Sequence, residues 1–412
     1  LQSRERALKD ARDRRFVHLL VLTTLRWRGA LDRVLAPLVH GGLERLDPIV
    51  RAALRSGLAE ATRLERPAGI AVSATVDAVR RATGRGAEGV VNAVLRRALA
   101  GGVPALDERA TMPEWLLARW SRSFGPERAD QLVSAANRAA RPFLIARPDR
   151  GGRERLVGRL AAAGVTAVPS RLHPWGVEVR EGAPQSTPCF TDGSCIAMDA
   201  AAALVAALAW PVDDRPIADL AAAPGGKSIL IALAAKRPVV ALELGSERAS
   251  RLARTVRLRA PEDRVGVVRA DARRPPLPRS RFGLVLLDAP CSGTGTLRRR
   301  PDRRWRLEEG QIGRLVRLQD ELLEAAAELV CPGGALVYSV CSLEPEEGTG
   351  RIAAFLGRYA EFRVEDPRPF LAAAARGLVD QESRVLATRP ETDDVDGFVA
   401  ARMVREPGRR GA

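Results

Sequence analysis

The sequence predicts a multidomain protein with an all-α N-terminal domain, a small α+β middle module and a C-terminal α/β domain. Three observations support this fold class. The chain has 412 residues, which is more than one typical core accommodates. Residues 4–100 show the apolar spacing of helices. Beyond residue 210, apolar runs alternate with helical segments, which is typical of a parallel sheet covered on both faces.

The first predicted domain, residues 1–105, consists of helices with arginine on their polar faces. Asp47-Pro48 opens one of these helices, because an aspartate cap followed by proline favours a helix start. The run Gly101-Gly102-Val103-Pro104 ends the pattern and sets the first boundary. Arginines on these faces are either a solvated helix surface or a contact surface for nucleic acid.

The charge balance predicts a polyanionic partner. The chain carries 66 Lys and Arg against 50 Asp and Glu, a net charge of +16, and basic side chains neutralise phosphates. Codon bias explains arginine in place of lysine, but it does not explain an excess of basic over acidic residues. Nucleic acid is therefore the expected partner.

The cysteines predict neither a disulfide framework nor a metal site. The chain has five of them, without a CxxC pair or zinc-ligand spacing, and free thiols suit a reducing cytoplasm. The apolar residues 16–25 are too few for a membrane span, and no small-residue cleavage site follows them. We expect a cytoplasmic monomer that binds no metal and no membrane.

The middle module, residues 106–190, combines an amphipathic helix with short β-like pieces. Its tryptophans, Trp115 and Trp120, are either core residues or platforms for base stacking. The third domain, residues 191–405, is expected to begin with a helix over residues 196–209. Six strands should follow, beginning near Ile217, Val239, Val265, Phe282, Ala335 and Gly397.

Residues at the ends of these strands predict a cofactor site, because crossovers bring the carboxyl ends of parallel strands to one edge. The first strand ends in DLAAAPGGKS, whose glycines allow close backbone approach or simply form a tight turn. Acidic residues end the next three strands: Glu243 is placed for a ribose diol, Asp271 for an exocyclic amine, and Asp288 lies beyond them. This set fits S-adenosylmethionine better than a nicotinamide dinucleotide, which needs the G-x-G-x-x-G fingerprint.

Two strand ends also present thiols. Cys291 follows the strand FGLVLLD and Cys341 follows ALVYSV. Strand-end placement favours a catalytic role for both, although any single cysteine is also a common small core residue. A block of arginines comes after the Cys291 turn, and it predicts RNA contacts at Arg298, Arg299, Arg300, Arg303 and Arg304.

Four motifs carry a resemblance to a known family. DLAAAPGGKS, ELGSERASRL, DAPCSGTGTLRRRPDRRWR and YSVCSLEPEEG resemble those of the Sun/Fmu RNA cytosine-5 methyltransferases. In the first hundred residues, LRWRGALDRVLAPLV, LERLDPIVRAALRSGL and GVVNAVLRRAL resemble the helical RNA-binding domain of NusB. Together they point to the bacterial member that acts on small-subunit ribosomal RNA. Ala221 departs from the pattern, since related sequences often carry cysteine there.

The resemblance implies a Rossmann-like methyltransferase domain and a role for each matching residue. Cys341 would be the nucleophile that adds to C6 of the target cytosine, and Cys291 would assist product release. S-adenosylmethionine would be bound by Ala221, Ala222, Ala223, Pro224, Gly225, Gly226, Lys227, Glu243, Arg248, Asp271 and Asp288. Two alternatives stay open: a transfer-RNA methyltransferase of the same superfamily, and a non-catalytic RNA-binding protein that retains the cofactor pocket.

Overall fold

The computed structural model describes residues 10–83, 86–211, 213–261 and 263–407. They form two compact units. The first, called the helical unit below, comprises the described residues of Leu1–Ala139 together with Leu297–Glu309. The second, called the sheet unit below, comprises the described residues of Ala140–Thr296 and Gly310–Ala412. The helical unit thus includes residues 106–139 and a segment from far along the chain, and the three domain boundaries expected from the sequence stay a prediction.

The helical unit confirms the all-α prediction for the N-terminal part of the chain. Asp47 caps its second helix by accepting a 2.7 Å hydrogen bond from the Ile49 N–H. Trp27, Leu31 and Leu58 are among the side chains of its buried core. The helices of this unit are Ala11–Leu35, Pro48–Arg63, Ala68–Thr83, Ala87–Leu99, Glu114–Phe124 and Pro126–Asn137.

The sheet unit begins with a small antiparallel sheet in the order β2-β3-β1-β4. Its strands are β1 (Phe143–Ala146), β2 (Thr166–Pro169), β3 (Gly176–Glu181) and β4 (Cys195–Ala197). The helix Gly152–Ala162 lies between β1 and β2 in the chain, and the short helix Pro188–Thr191 precedes β4. This confirms a small α+β module.

The helix predicted over residues 196–209 is wrong at its start. Strand β4 pairs with β1, so Cys195–Ala197 belongs to the small sheet. The helix is Ala200–Leu208, and Asp199 caps it by accepting a 2.8 Å hydrogen bond from the Ala201 N–H. An aspartate cap marks the true helix start, whereas apolar residues before it suit a strand equally well.

The larger sheet has the order β10-β12-β9-β8-β5-β6-β7, with β11 beside β12. Its strands are β5 (Ile217–Asp219), β6 (Val239–Leu242), β7 (Val265–Val268), β8 (Phe282–Asp288), β9 (Val330–Val340), β10 (Phe362–Glu365), β11 (Leu386–Ala387) and β12 (Val399–Arg405). The five strands β5 to β9 are parallel, but β12 runs antiparallel to both β9 and β10. The predicted parallel sheet is therefore mixed, because an apolar pattern carries no information on strand direction.

Helices cover both faces of the larger sheet. Alternate residues of β8 enter opposite cores: Leu284 and Leu286 pack into one, Val285 and Leu287 into the other. The remaining helices are Ala200–Leu208, Gly226–Ala235, Ser246–Arg259, Glu309–Leu329, Thr349–Arg358 and the short Pro390–Asp393. The chain order reverses at β5, so the carboxyl ends of β5 and β8 flank the position where such sheets bind ligands.

Within the described ranges, no helix combines the length and apolar character that crossing a membrane requires.

Candidate active site at the carboxyl edge of the larger sheet

Residues 221–227 form the turn after β5 and the first residues of the following helix. Asp219, at the end of β5, is buried and accepts a 2.6 Å hydrogen bond from Ser228 Oγ, which ties the strand end to the next helix. Burial raises the pKa of Asp219 to about 6, although this hydrogen bond opposes the shift. Gly225 has a φ of +109°, and a Cβ there would lie 2.8 Å from Leu252 Cδ1. Glycine is therefore required where the loop meets the start of the helix Gly226–Ala235.

Glu243 follows β6 and is buried beside Arg248. Its Oε1 accepts a 3.1 Å hydrogen bond from the Gly245 N–H, and its Oε2 lies 2.9 Å from Arg248 Nη2. The Arg248 contact lacks hydrogen-bond alignment, and among the described residues no other group donates to Oε2. Glu243 thus presents a buried acceptor oxygen at this edge of the sheet.

Asp271 forms an ion pair with Arg273, a residue that the sequence did not single out. Arg273 Nη2 lies 2.7 Å from Asp271 Oδ2, and this side-chain hydrogen bond, with the Arg273 N–H and charge, lowers the pKa of Asp271. Both residues line a cavity of about 760 Å³ together with Glu321 and Glu324. A role for Asp271 at the adenine amine stays a prediction.

Asp288, at the end of β8, pairs with Lys227 from the turn after β5. Lys227 Nζ donates a 2.7 Å hydrogen bond to Asp288 Oδ2, and Ser339 Oγ donates one of 2.6 Å to Oδ1. Burial by itself would lower the pKa of Lys227, but the charge and hydrogen bond of Asp288 and the charge of Cys341 raise it. Lys227 is therefore a half-buried, charged lysine beside Asp288 and Cys341.

The two predicted thiols are adjacent. Cys291 Sγ and Cys341 Sγ lie 3.4 Å apart, within hydrogen-bonding distance for sulfur. The pairing of β8 with β9 sets this proximity, since Asp288 lies opposite Ser339 in the register and each thiol follows its strand. Cys291 is buried, whereas Cys341 is partly exposed. Cys341 is thus the more accessible of the two.

The surroundings of the two thiols differ in charge as well. The hydrogen bond with Cys341, followed by burial and the negative charges of Cys341 and Glu347, raises the pKa of Cys291 well above its usual range. Cys291 therefore stays a thiol, and it can donate to Cys341 in this contact. The attraction between Lys227 and Cys341 is reciprocal, so the lysine favours a thiolate at Cys341.

The predicted block of RNA-binding arginines is only partly on the surface. Arg304 is 0% exposed and Arg298 3%, so the structure contradicts an RNA-gripping position for these two. Arg304 donates to the carbonyl oxygens of Thr111 and Ala136, each at 3.0 Å, inside the helical unit. Burial, with the charge of Arg26, lowers the pKa of Arg304 to about 9. By contrast, Arg300 is exposed, and Arg299 and Arg303 are partly exposed.

Three family models match successive parts of the chain. Residues 2–100 match the NusB family, and residues 112–185 match the ferredoxin-like domain of RsmF/B-like methyltransferases. Residues 205–404 match the family described as 16S rRNA methyltransferase RsmB/F.

Curated relatives are similar in sequence along most of this chain. "Ribosomal RNA small subunit methyltransferase B" of Xylella fastidiosa (strain Temecula1) is 34% identical over 401 residues, which are 97% of this chain and 91% of that protein. This chain belongs to the RsmB/F methyltransferase family. The protein of the same name from Xanthomonas campestris pv. campestris is 36% identical over 364 residues, 87% of this chain and 83% of its own.

Solved structures share the fold of this chain. The crystal structure of PH0851 superposes with a TM-score of 0.82 at 25% identity and covers 96% of this chain and 91% of its own. NSun6 from Pyrococcus horikoshii superposes with a TM-score of 0.61 over 71% of this chain and 98% of its own, but at 18% identity it shows the fold alone.

S-adenosylmethionine is the cofactor of this RsmB/F-family protein, and the residues at the sheet edge fit it. Glu243 offers a buried acceptor oxygen without a donor among the residues that the structure describes, which suits a sugar hydroxyl. The turn that precedes the helix Gly226–Ala235 lets backbone approach a ligand closely at Gly225. When bound, the cofactor supplies an electrophilic methyl group. The individual contacts of these residues stay predictions.

Replacing Glu243 with alanine is expected to weaken S-adenosylmethionine binding by about 1.5–3 kcal/mol, the range for a charged hydrogen bond. Isothermal calorimetry on the folded variant measures this loss. Glu247→Ala is a matched control, since Glu247 is an exposed carboxylate on the following helix, paired with Arg251. Equal affinities for the two variants would remove Glu243 from the cofactor site.

The sequence analysis identified the strand-end residues but not the groups that hold them. It missed Ser339, the penultimate residue of β9, and Phe398, whose ring centre is 5.4 Å from Lys227 Nζ. It also missed Ser292, Ser342, Gln319 and Glu347, which surround the cysteine turns. A signal was available for three of these residues, because Ser292, Ser342 and Glu347 lie within the family motifs DAPCSGTGTLRRRPDRRWR and YSVCSLEPEEG.

Proposed function

We propose that this protein methylates C5 of a cytosine in small-subunit ribosomal RNA in the bacterial cytoplasm. Cys341 is the nucleophile and Cys291 assists product release. The observation that carries the proposal is the pair of thiols 3.4 Å apart, one partly exposed near Lys227 and the other buried and protonated. A single structural cysteine would need neither the partner thiol nor the nearby cation.

The two thiols divide the chemistry that this reaction requires. C5 of cytosine is a weak nucleophile, and addition of the Cys341 thiolate at C6 makes it an enamine carbon. C5 then takes up the methyl group. Loss of the C5 proton to a base and of Cys341 from C6 restores the aromatic ring. Cys291 touches the sulfur that must leave and carries a proton, so its hydrogen bond can stabilise Cys341 as it departs as a thiolate, the form that attacked C6.

The proposed substrate follows from the relatives and from the charge of the chain. The relatives are named for the small ribosomal subunit, and the NusB match favours an RNA-binding role for the helical unit. A net charge of +16 favours contact with RNA phosphates. Of the predicted arginines, the exposed Arg300 and the partly exposed Arg299 and Arg303 stay candidates for those contacts.

Bisulfite sequencing tests the target directly. RNA from a strain that lacks the protein should lose one 5-methylcytosine from small-subunit ribosomal RNA, and restoring the gene should return it. Loss of a 5-methylcytosine from transfer RNA instead would favour the transfer-RNA alternative. Unchanged methylation in both RNA classes would contradict the proposal.

A further inference from the structure

A buried carboxylate joins the two turns that carry the thiols. Glu347 is fully buried. Its Oε1 accepts hydrogen bonds from the Ser292 N–H at 2.9 Å and from Gln319 Nε2 at 3.1 Å. Its Oε2 accepts from Ser342 Oγ at 2.5 Å and from Ser292 Oγ. One side chain thereby contacts the residue after Cys291 and the residue after Cys341.

Four donors surround the Glu347 carboxylate. Each of the four groups described above donates a hydrogen bond, so both carboxylate oxygens act as acceptors. A buried charge is costly unless hydrogen bonds satisfy it, and charge-assisted bonds of this kind are stronger than neutral ones. The cluster therefore favours one arrangement of its members, because moving either serine away would leave part of the charge without a donor.

Glu347 is itself held from two sides. Tyr338 donates a 2.6 Å hydrogen bond from its hydroxyl to the Glu347 carbonyl oxygen, which anchors the backbone to β9. Gln319, on the helix Glu309–Leu329, also donates to the Pro290 carbonyl oxygen at 2.9 Å, one residue before Cys291. Glu347 is thus hydrogen-bonded to groups from β9, from the helix Glu309–Leu329 and from both cysteine turns.

We propose that Glu347 is a positioning residue that holds Cys291 and Cys341 in a fixed relation, so that both thiols act on the same cytosine. This inference rests on the proposed function. Covalent catalysis needs the nucleophile placed against C6 while the second thiol stays within reach of the leaving sulfur. A displacement of about 1 Å in such an arrangement can lower a rate by about 100-fold.

The negative charge of Glu347 has a second consequence for the same pair. It is one of the charges that disfavour a thiolate at Cys291, after the hydrogen bond with Cys341, burial and the charge of Cys341. Removing it makes a Cys291 thiolate easier to form. Charge and length are separable by substitution: glutamine keeps the length of the side chain and loses the charge, whereas aspartate keeps the charge and loses one methylene group.

The first test compares Glu347→Gln with Glu346→Gln, which makes the same charge change at the exposed neighbouring residue. In Glu347→Gln an NH₂ group replaces one carboxylate oxygen. This group cannot accept the hydrogen bonds that both serine hydroxyls donate to Oε2, so the turns should separate. We expect single-turnover methyl transfer to fall by about 100-fold in Glu347→Gln, with S-adenosylmethionine and RNA affinities equal to those of Glu346→Gln. Glu347→Asp should also be slow, because its carboxylate does not reach both turns.

A second measurement reports on the thiols without methyl transfer. Phenylarsine oxide bridges two thiols only when they lie close together, and intact-mass spectrometry detects the bridged protein. Capture that requires both Cys291 and Cys341 should be about tenfold slower in Glu347→Gln than in Glu346→Gln, because the pair is no longer held in place. Ser342→Ala removes one of the hydrogen bonds to Glu347, together with the contacts of Ser342 Oγ with Ser292 Oγ and Thr294 Oγ1. It should give an intermediate rate if Glu347→Gln does not fold.

These readouts separate two possible failures. If the Glu346→Gln enzyme transfers no methyl group to cytosine, the proposed function is wrong, and arsenical capture still decides the role of Glu347. Equal capture rates and equal transfer rates for the Glu347 and Glu346 variants would overturn the positioning role.

Discussion

Replacing Cys341 with alanine is expected to abolish methyl transfer, with a loss of roughly 10⁴-fold or more, as expected when a covalent nucleophile is removed. The variant can form no bond to C6, so C5 never becomes an enamine carbon. Single-turnover transfer of a tritiated methyl group to RNA measures the loss. S-adenosylmethionine and RNA should still bind, because the substitution removes only a small, partly exposed side chain.

Cys331→Ala is the matched control for loss of a thiol. Cys331 is buried and donates a 3.1 Å hydrogen bond to the Phe282 carbonyl oxygen, at the opposite end of β8 from Cys291. It should retain methyl transfer and lose only stability. Full activity in Cys341→Ala would remove Cys341 from the reaction and would favour the non-catalytic alternative if Cys291→Ala were equally neutral.

Replacing Cys291 with alanine is expected to trap the enzyme on its substrate. Cys341 keeps its partly exposed position near Lys227, so attack on C6 and methyl transfer proceed. Release should stall, since the protonated sulfur 3.4 Å from Cys341 is gone. The product is a protein–RNA complex joined through Cys341. A denaturing gel should show it as a slowly migrating band that requires both RNA and S-adenosylmethionine.

The double variant Cys291→Ala/Cys341→Ala provides the control for that band, which it should lose. A band in Cys341→Ala alone would reverse the assignment and make Cys291 the nucleophile. Absence of a band in Cys291→Ala, with a loss of stability only, would reduce Cys291 to a core residue, since its removal leaves a small cavity.

The candidate site was predictable where it depends on the ends of strands. Apolar runs ending in Asp219, Glu243, Asp288 and the two cysteines are local features, and right-handed crossovers place such ends at one edge of the sheet. The same rule placed Cys291 and Cys341 at that edge, but their adjacency depends on the pairing of β8 with β9. Their different surroundings did not follow from that rule, because burial and nearby charges depend on residues distant in the chain.

The arginine block shows the opposite case. Arg298 and Arg304 have the same side-chain type and local setting as Arg300, yet only Arg300 is exposed. The residues that surround Arg304 come from positions 26, 111, 136 and 137. No local pattern distinguishes an arginine that donates to buried carbonyl oxygens from one that is free to meet a phosphate.

The sequence by itself determined which residues end the strands and therefore which chemistry gathers at the edge of the larger sheet. The ends of strands are visible in the short-range pattern of apolar residues. Right-handed crossovers then bring the carboxyl ends of parallel strands to one edge of the sheet. Only the tertiary structure decided the direction of β12, the burial of Arg304 and the carboxylate of Glu347 between the cysteine turns. Each of these depends on which distant groups satisfy a buried backbone or charged atom, and that is settled only when the whole chain packs.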